Sequence, residues 1–151
     1  MRSKVNILII GVVYLTTLFA DGIRYLDEVF ESVVKTEDVV YGNAPDLPFW
    51  FWVESNTVDI DLDMDVYEPE GDTITNRPVI IFAHTGSFFS GHNELDDVVD
   101  LSISAAKRGY VAISINYRLG LNVLSTYSGE RAVYRAVQDG GAAIRYLREF
   151  P

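Results

Sequence analysis

The chain has 151 residues, with 22 Asp and Glu against 12 Lys and Arg and a formal net charge of −10. So acidic a surface repels phosphate backbones, which argues against nucleic acid as a partner. There is no cysteine, and with it go disulfides, thiolate metal sites and cysteine nucleophiles.

At the N-terminus, Arg2 and Lys4 precede an uncharged, mostly apolar run over residues 5–20 that ends at Ala20. A short positive segment, an apolar stretch and a small residue before the first acid, Asp21, have the layout of a secretory signal peptide. The run is shorter than the roughly 20 apolar residues a spanning helix needs, so no stable membrane span is expected. Cleavage after Ala20 would leave residues 21–151, which keep all 22 acids and 10 of the bases, a net charge of −12. The expected location is the periplasm, surface or surroundings of a bacterium, which suits an exported chain without disulfides. Residues 21–151 are long enough for one domain of ordinary size.

Residues 23–30 read as a short amphipathic piece of one or two helical turns. Residues 33–41 are rich in β-branched side chains and predict a strand that stops at Gly42-Asn43. A loop over 42–56 then carries Pro45, Pro48 and four successive aromatics, Phe49, Trp50, Phe51 and Trp52. These four line an acyl pocket or touch lipid, or equally cap the apolar end of a sheet. Residues 58–67 alternate strictly: Val58, Ile60, Leu62, Met64 and Val66 on one side, Asp59, Asp61, Asp63 and Asp65 on the other. That period of two predicts a strand with one wet face, antiparallel to its predecessor. The alternating acids point one way at about 7 Å intervals and do not converge on an ion. The position where a calcium loop starting at Asp59 would need Gly is Met64, so the expectation is a solvated face and no metal.

Residues 79–83 are continuously apolar, as in a strand covered on both faces. Asn93 is placed to cap a helix whose buried face is Leu95, Val98, Ser102, Ala105 and Ala106, with Gly109 at its stop. Residues 110–115 form another buried-type strand. Strand, helix, strand at this spacing predicts a parallel βαβ unit. Ser128 caps a second helix, with Val133, Val137, Gly140, Ile144 and Leu147 along one stripe. Gly140-Gly141 costs that helix about 1 kcal/mol per residue, and close packing on a sheet is the expected compensation. The fold class is therefore α/β: an antiparallel strand pair, then a parallel βαβ unit and a further helix.

The chemistry concentrates after the strand at 79–83, in His84-Thr85-Gly86-Ser87-Phe88-Phe89-Ser90-Gly91. In acyl transfer a carbonyl oxygen becomes an anion, and backbone N–H groups aimed at it stabilise it without reorganising. Presenting two successive N–H groups requires a turn of small residues directly after a rigid strand, which Gly86-Ser87 provides. An ordinary βα turn is the plainer alternative.

Four segments in order carry a family resemblance. RPVIIFAHTGSFFSG resembles the HGGGF-x-SG segment of α/β-hydrolase carboxylesterases and lipases, and YVAISINYRLG resembles their next strand. RAVYRAVQDGGAAIRYLRE resembles the helix that precedes their nucleophile, and LDMDVYEP resembles their second strand. The chain is similar to exported bacterial members of that group. The resemblance implies the N-terminal half of an α/β-hydrolase sheet, with oxyanion donors on the N–H groups of Gly86 and Ser87. It implies His84 and Thr85 as support for the oxyanion loop, no organic cofactor or metal, and a small-molecule ester as substrate. Thr85 stands where the family has Gly and would be strained if the loop needs positive φ there.

No G-x-S-x-G occurs in residues 1–151. The family's chain order places the catalytic Ser, Asp or Glu, and His after this helix, beyond Pro151. His84 and His92 are therefore expected as loop residues and not as general bases. Arg118 is expected as an ion-pair or loop-anchoring residue. The whole protein is then a serine esterase or lipase-like hydrolase, and residues 21–151 alone are expected to be inactive. Their expected partner is the remainder of the same domain, or a second copy. The alternative is a non-catalytic relative that acts as a binding module.

Overall fold

The computed structural model describes residues 22–47 and 56–149. The expected signal peptide, the aromatics Phe49 to Trp52 and Pro151 lie outside the described residues. Strands β1 (Val33–Asp46), β2 (Val58–Pro69), β3 (Val79–Ala83) and β4 (Val111–Ile115) form one sheet in the order β1-β2-β4-β3. Helix α1 (Asp96–Lys107) joins β3 to β4, and α2 (Ser128–Glu149) follows β4. β1 pairs antiparallel with β2, β2 antiparallel with β4, and β3 parallel with β4. The antiparallel opening and the parallel βαβ unit are those the sequence predicts.

The strand period of two separates two cores. On one face, Leu62, Met64, Ile113 and Ile115 pack with Tyr41 and with Ala143 of α2. On the other, Tyr67 and Ala112 pack with Ala105 and Ala106 of α1. The helices thus cover opposite faces of the sheet. Val98, Ser102, Ala105 and Ala106 form the buried face of α1, as its spacing predicts, and Gly109 ends the chain's turn out of it at φ +99°.

Several expectations give way. Residues 23–27 make a single turn closed by the Asp27 N–H on the Ile23 carbonyl (2.8 Å), not a helix. β1 runs on through Gly42-Asn43 to Asp46, since it is an edge strand where Pro45 need not donate to a neighbour. β3 is half-exposed, with Val79 and Ala83 open, because it is the outer strand and not an inner one. Asn93 does not cap α1, whose N-cap is Leu95 with no side-chain bond.

The acidic face of β2 is wet only along half its length. Asp59 and Asp61 are exposed, but Asp65 is 1% exposed, because α1 packs over the second half of the strand. Its carboxylate is matched by Lys35 Nζ at 3.0 Å and accepts the Asp38 N–H at 3.2 Å. Asp38 sits at φ +56° in an irregularity of β1, so this buried acid holds the edge strand's bulge.

The stripe predicted for α2 is also displaced. Val133, Val137 and Ile144 are exposed, whereas Ala132, Asp139 and Ala143 are buried. The helix is rotated by one residue, about 100°, and Arg118 supplies the reason. Its guanidinium meets both Asp139 oxygens at 2.7–3.1 Å and its N–H donates to the same carboxylate at 2.9 Å. It also donates to the Pro45 carbonyl at 3.0 Å, so it is the anchoring residue the sequence predicts. Gly140 is not closely packed: a Cβ there would have nothing within 4 Å.

Candidate functional site

The parallel strands β3 and β4 end together, and the turn over residues 84–91 leaves β3 at that end. Clefts at the carboxyl ends of parallel strands are where α/β folds bind ligands. Here a cleft of about 380 Å³ opens between Ala83, His84, Phe88 and Tyr117 on one side and Gly140 and Ile144 of α2 on the other.

Three successive residues of the turn have positive φ: Gly86 (+123°), Ser87 (+55°) and Phe88 (+60°). Only Gly serves at 86, where a Cβ would overlap the Ser90 carbonyl oxygen. The Gly86 carbonyl accepts the N–H groups of Phe89 (3.0 Å) and Ser90 (3.2 Å), which closes the turn. The N–H groups of Gly86 and Ser87 find no acceptor among the described residues. Two free donors at a strand end, beside a cleft, can receive an anionic oxygen. Thr85 keeps negative φ, so the strain its β-branch would bring does not arise. It is exposed, and its hydroxyl reaches Asp97 in the first turn of α1 at 3.3 Å.

His84 is buried under this turn at 4% exposure. Its Nδ1 lies 2.7 Å from the Thr85 carbonyl, and a carbonyl can only accept, so Nδ1 carries the proton. Burial lowers its proton affinity, with His92 adding to the effect, while the Thr85 bond and Asp97 oppose it. Nε2 has no hydrogen-bond partner among the described residues. A Cβ at Gly91 (φ +115°) would collide with the imidazole, so Gly91 is the space that lets the ring lie flat. His92 is exposed, and its Nδ1 accepts the Glu94 N–H at 3.2 Å.

The segment after β4 meets the turn at several points that sequence reasoning missed. The Tyr117 ring stacks on His84 (4.3 Å, 12°) and meets Phe88 edge-on (5.8 Å). Its hydroxyl donates to the His84 carbonyl at 2.9 Å, and burial raises its pKa, keeping the proton in place. The N–H groups of Gly120 and Leu121 both donate to the Phe88 carbonyl, at 2.9 and 3.0 Å. Asn116 and Asn93 exchange bonds, Asn93 N–H to Oδ1 at 2.9 Å and Asn116 Nδ2 to Asn93 Oδ1 at 3.0 Å. Asn116 Nδ2 also donates to Asp63 at 2.8 Å, which fixes this end of the loop to β2. Such contacts join residues more than 20 apart, and nothing local in the sequence announces them. Among the described residues no group of three or more His, Asp and Glu is arranged to hold a metal ion, and no described helix is long and apolar enough to cross a membrane.

Two crystal structures of esterase B from Lactobacillus rhamnosis have this fold, one of them with the inhibitor C4-C4 SN3 tributyrin phosphonate. They superpose with TM-scores of 0.51 and 0.50 at 22% identity, over 95% of this chain. The match covers 40% and 39% of the esterase B chains, so the present chain spans about two fifths of their length. The sequence model of the BD-FAE family matches residues 64–150, from the middle of β2 to the end of α2. The chain belongs to the BD-FAE family of α/β-hydrolase-type esterase domains.

Proposed function

We propose that this chain is the oxyanion-loop half of a serine carboxylesterase or lipase-like enzyme that hydrolyses small-molecule esters. The observation that carries the reading is the pair of unpartnered N–H groups on Gly86 and Ser87 at the carboxyl end of β3. As a Ser hydroxyl attacks the ester carbonyl, its oxygen gains charge, and the two N–H groups receive it. Each such donor contributes on the order of 10²–10³ in rate. His84 and Thr85 support the turn and take no part in proton transfer, because His84 is buried and holds its proton on the Thr85 carbonyl. The nucleophile, its His base and the orienting acid come from residues outside this segment. No cofactor or metal takes part in this scheme.

The same reading has the protein exported after cleavage behind Ala20, without a stable membrane span. N-terminal sequencing of the mature protein is expected to begin at Asp21. The partner is the rest of the hydrolase domain, and in its absence a second copy. The esterase reading is tested by incubating the whole gene product with a short-chain nitrophenyl ester. Heat-labile hydrolysis is expected from it and none from residues 21–151. Turnover by residues 21–151 would contradict the division of labour. No turnover by either would favour the non-catalytic binding module.

A further inference from the structure

We propose that Tyr117 is a positioning residue that holds the 84–91 turn in its strained, donor-presenting form. The inference rests on the esterase reading for its consequence, but its geometry stands alone. Two independent observations meet at this side chain.

The first is strain. Ser87 and Phe88 both lie in the left-handed region, at φ +55° and +60°. Non-glycine residues reach that region at a cost and persist in it only when their surroundings over-determine them. The turn's own closure, two N–H groups on the Gly86 carbonyl, spans residues 86–90 and does not tie it to the sheet.

The second is where the external restraints come from. The Phe88 carbonyl is held by Gly120 and Leu121, and the His84 carbonyl by the Tyr117 hydroxyl. The Tyr117 ring also stacks on His84 and abuts Phe88, so one side chain grips both flanks of Gly86-Ser87. Without the hydroxyl, the His84 carbonyl loses its hydrogen bond, and the His84–Thr85 peptide is held only by its neighbours: the His84 ring on the Thr85 carbonyl and the Thr85 hydroxyl on Asp97. That peptide leads directly into Gly86, so its rotation re-aims the donors. Substrate contacts in the cleft do not depend on the hydroxyl, which points at the backbone. Loss of the hydroxyl therefore slows the reaction and leaves substrate binding intact.

The test compares Tyr117→Phe with Tyr110→Phe in the whole gene product. Tyr110 also donates its hydroxyl to a backbone carbonyl, that of Tyr25, in a part of the molecule remote from the turn. The amides of Phe89 and Ser90 report whether the turn is closed. In Tyr117→Phe their hydrogen exchange is expected to quicken about tenfold while α1 amides hold. With a nitrophenyl ester, kcat is expected to fall about tenfold and KM to stay within twofold, and Tyr110→Phe to change neither. Unchanged Phe89 and Ser90 exchange in Tyr117→Phe would overturn the proposal, as would a kcat loss shared equally by Tyr110→Phe. If the wild-type protein hydrolyses no ester, the esterase reading fails by itself, and the exchange comparison alone decides the role of Tyr117.

Discussion

At the scale of single residues, the turn after β3 is a local compromise between backbone strain and donor presentation. Ser87 at φ +55° is the clearest instance, since its side chain is exposed and makes no bond that offsets the conformation. Ser87→Gly keeps the N–H and removes the Cβ, and is expected to stabilise the folded chain by about 0.5–1 kcal/mol. Chemical denaturation checks this as a higher midpoint with an unchanged slope. His84 gives a pH signature. Burial sets its folded pKa below the ordinary 6.5, so the unfolded chain takes up a proton that the folded chain refuses. Its contribution is therefore full above about pH 6.5 and is lost as the pH falls from there toward the folded value. Thermal melts from pH 7 to 5 are expected to show a steeper loss in wild type than in His84→Gln.

At the scale of elements, the Arg118–Asp139 pair decides how α2 meets the sheet. Both partners are buried, so removing one leaves an uncompensated charge, at a cost of about 3–5 kcal/mol. Arg118→Met is expected to lower the unfolding free energy by that amount, and Asp139→Ala by a similar one, each measured by urea denaturation. This pair also explains what the sequence could and could not disclose. Local pattern found every strand and both helices: the β-branched run of β1, the alternation of β2, the apolar runs of β3 and β4 and the 3.6-residue face of α1 are local facts. The rotation of α2 was hidden: Val133, Val137 and Ile144 form the more apolar stripe, yet Asp139 faces the sheet in a long-range pair with Arg118 and they face outward. The burial of Asp65 was hidden for the same kind of reason, since only the packing of α1 makes half of an alternating strand dry. The Gly86-Ser87 turn was visible from its place after an apolar strand, and His84 and Thr85 beside it from the family resemblance. Tyr117, Asn116 and Asn93 were not, because their roles depend on the register of β4 against β2 and β3.

At the scale of the whole molecule, the exposed stripe of α2 and the open edge of β3 lie next to each other around the cleft at Ile144 and Ala83. α1 covers one face of the sheet and α2 the other, so a right-handed crossover through α2 would set a following parallel strand beside β3. An apolar edge and stripe of this kind favour association when left uncovered. Residues 21–151 produced alone are expected to sediment as dimers or larger species, and Val137→Glu is expected to shift them toward monomer. A monodisperse monomer at micromolar concentration would contradict that expectation. Whether the Gly86-Ser87 turn holds the ester's developing charge is decided by Gly86→Ala in the whole gene product. A Cβ at 86 collides with the Ser90 carbonyl and opens the turn, while β3, α1 and the core are untouched. In that variant kcat for a nitrophenyl ester is expected to fall at least about 100-fold, with the circular dichroism spectrum preserved. Wild-type kcat in Gly86→Ala would contradict that role of the turn.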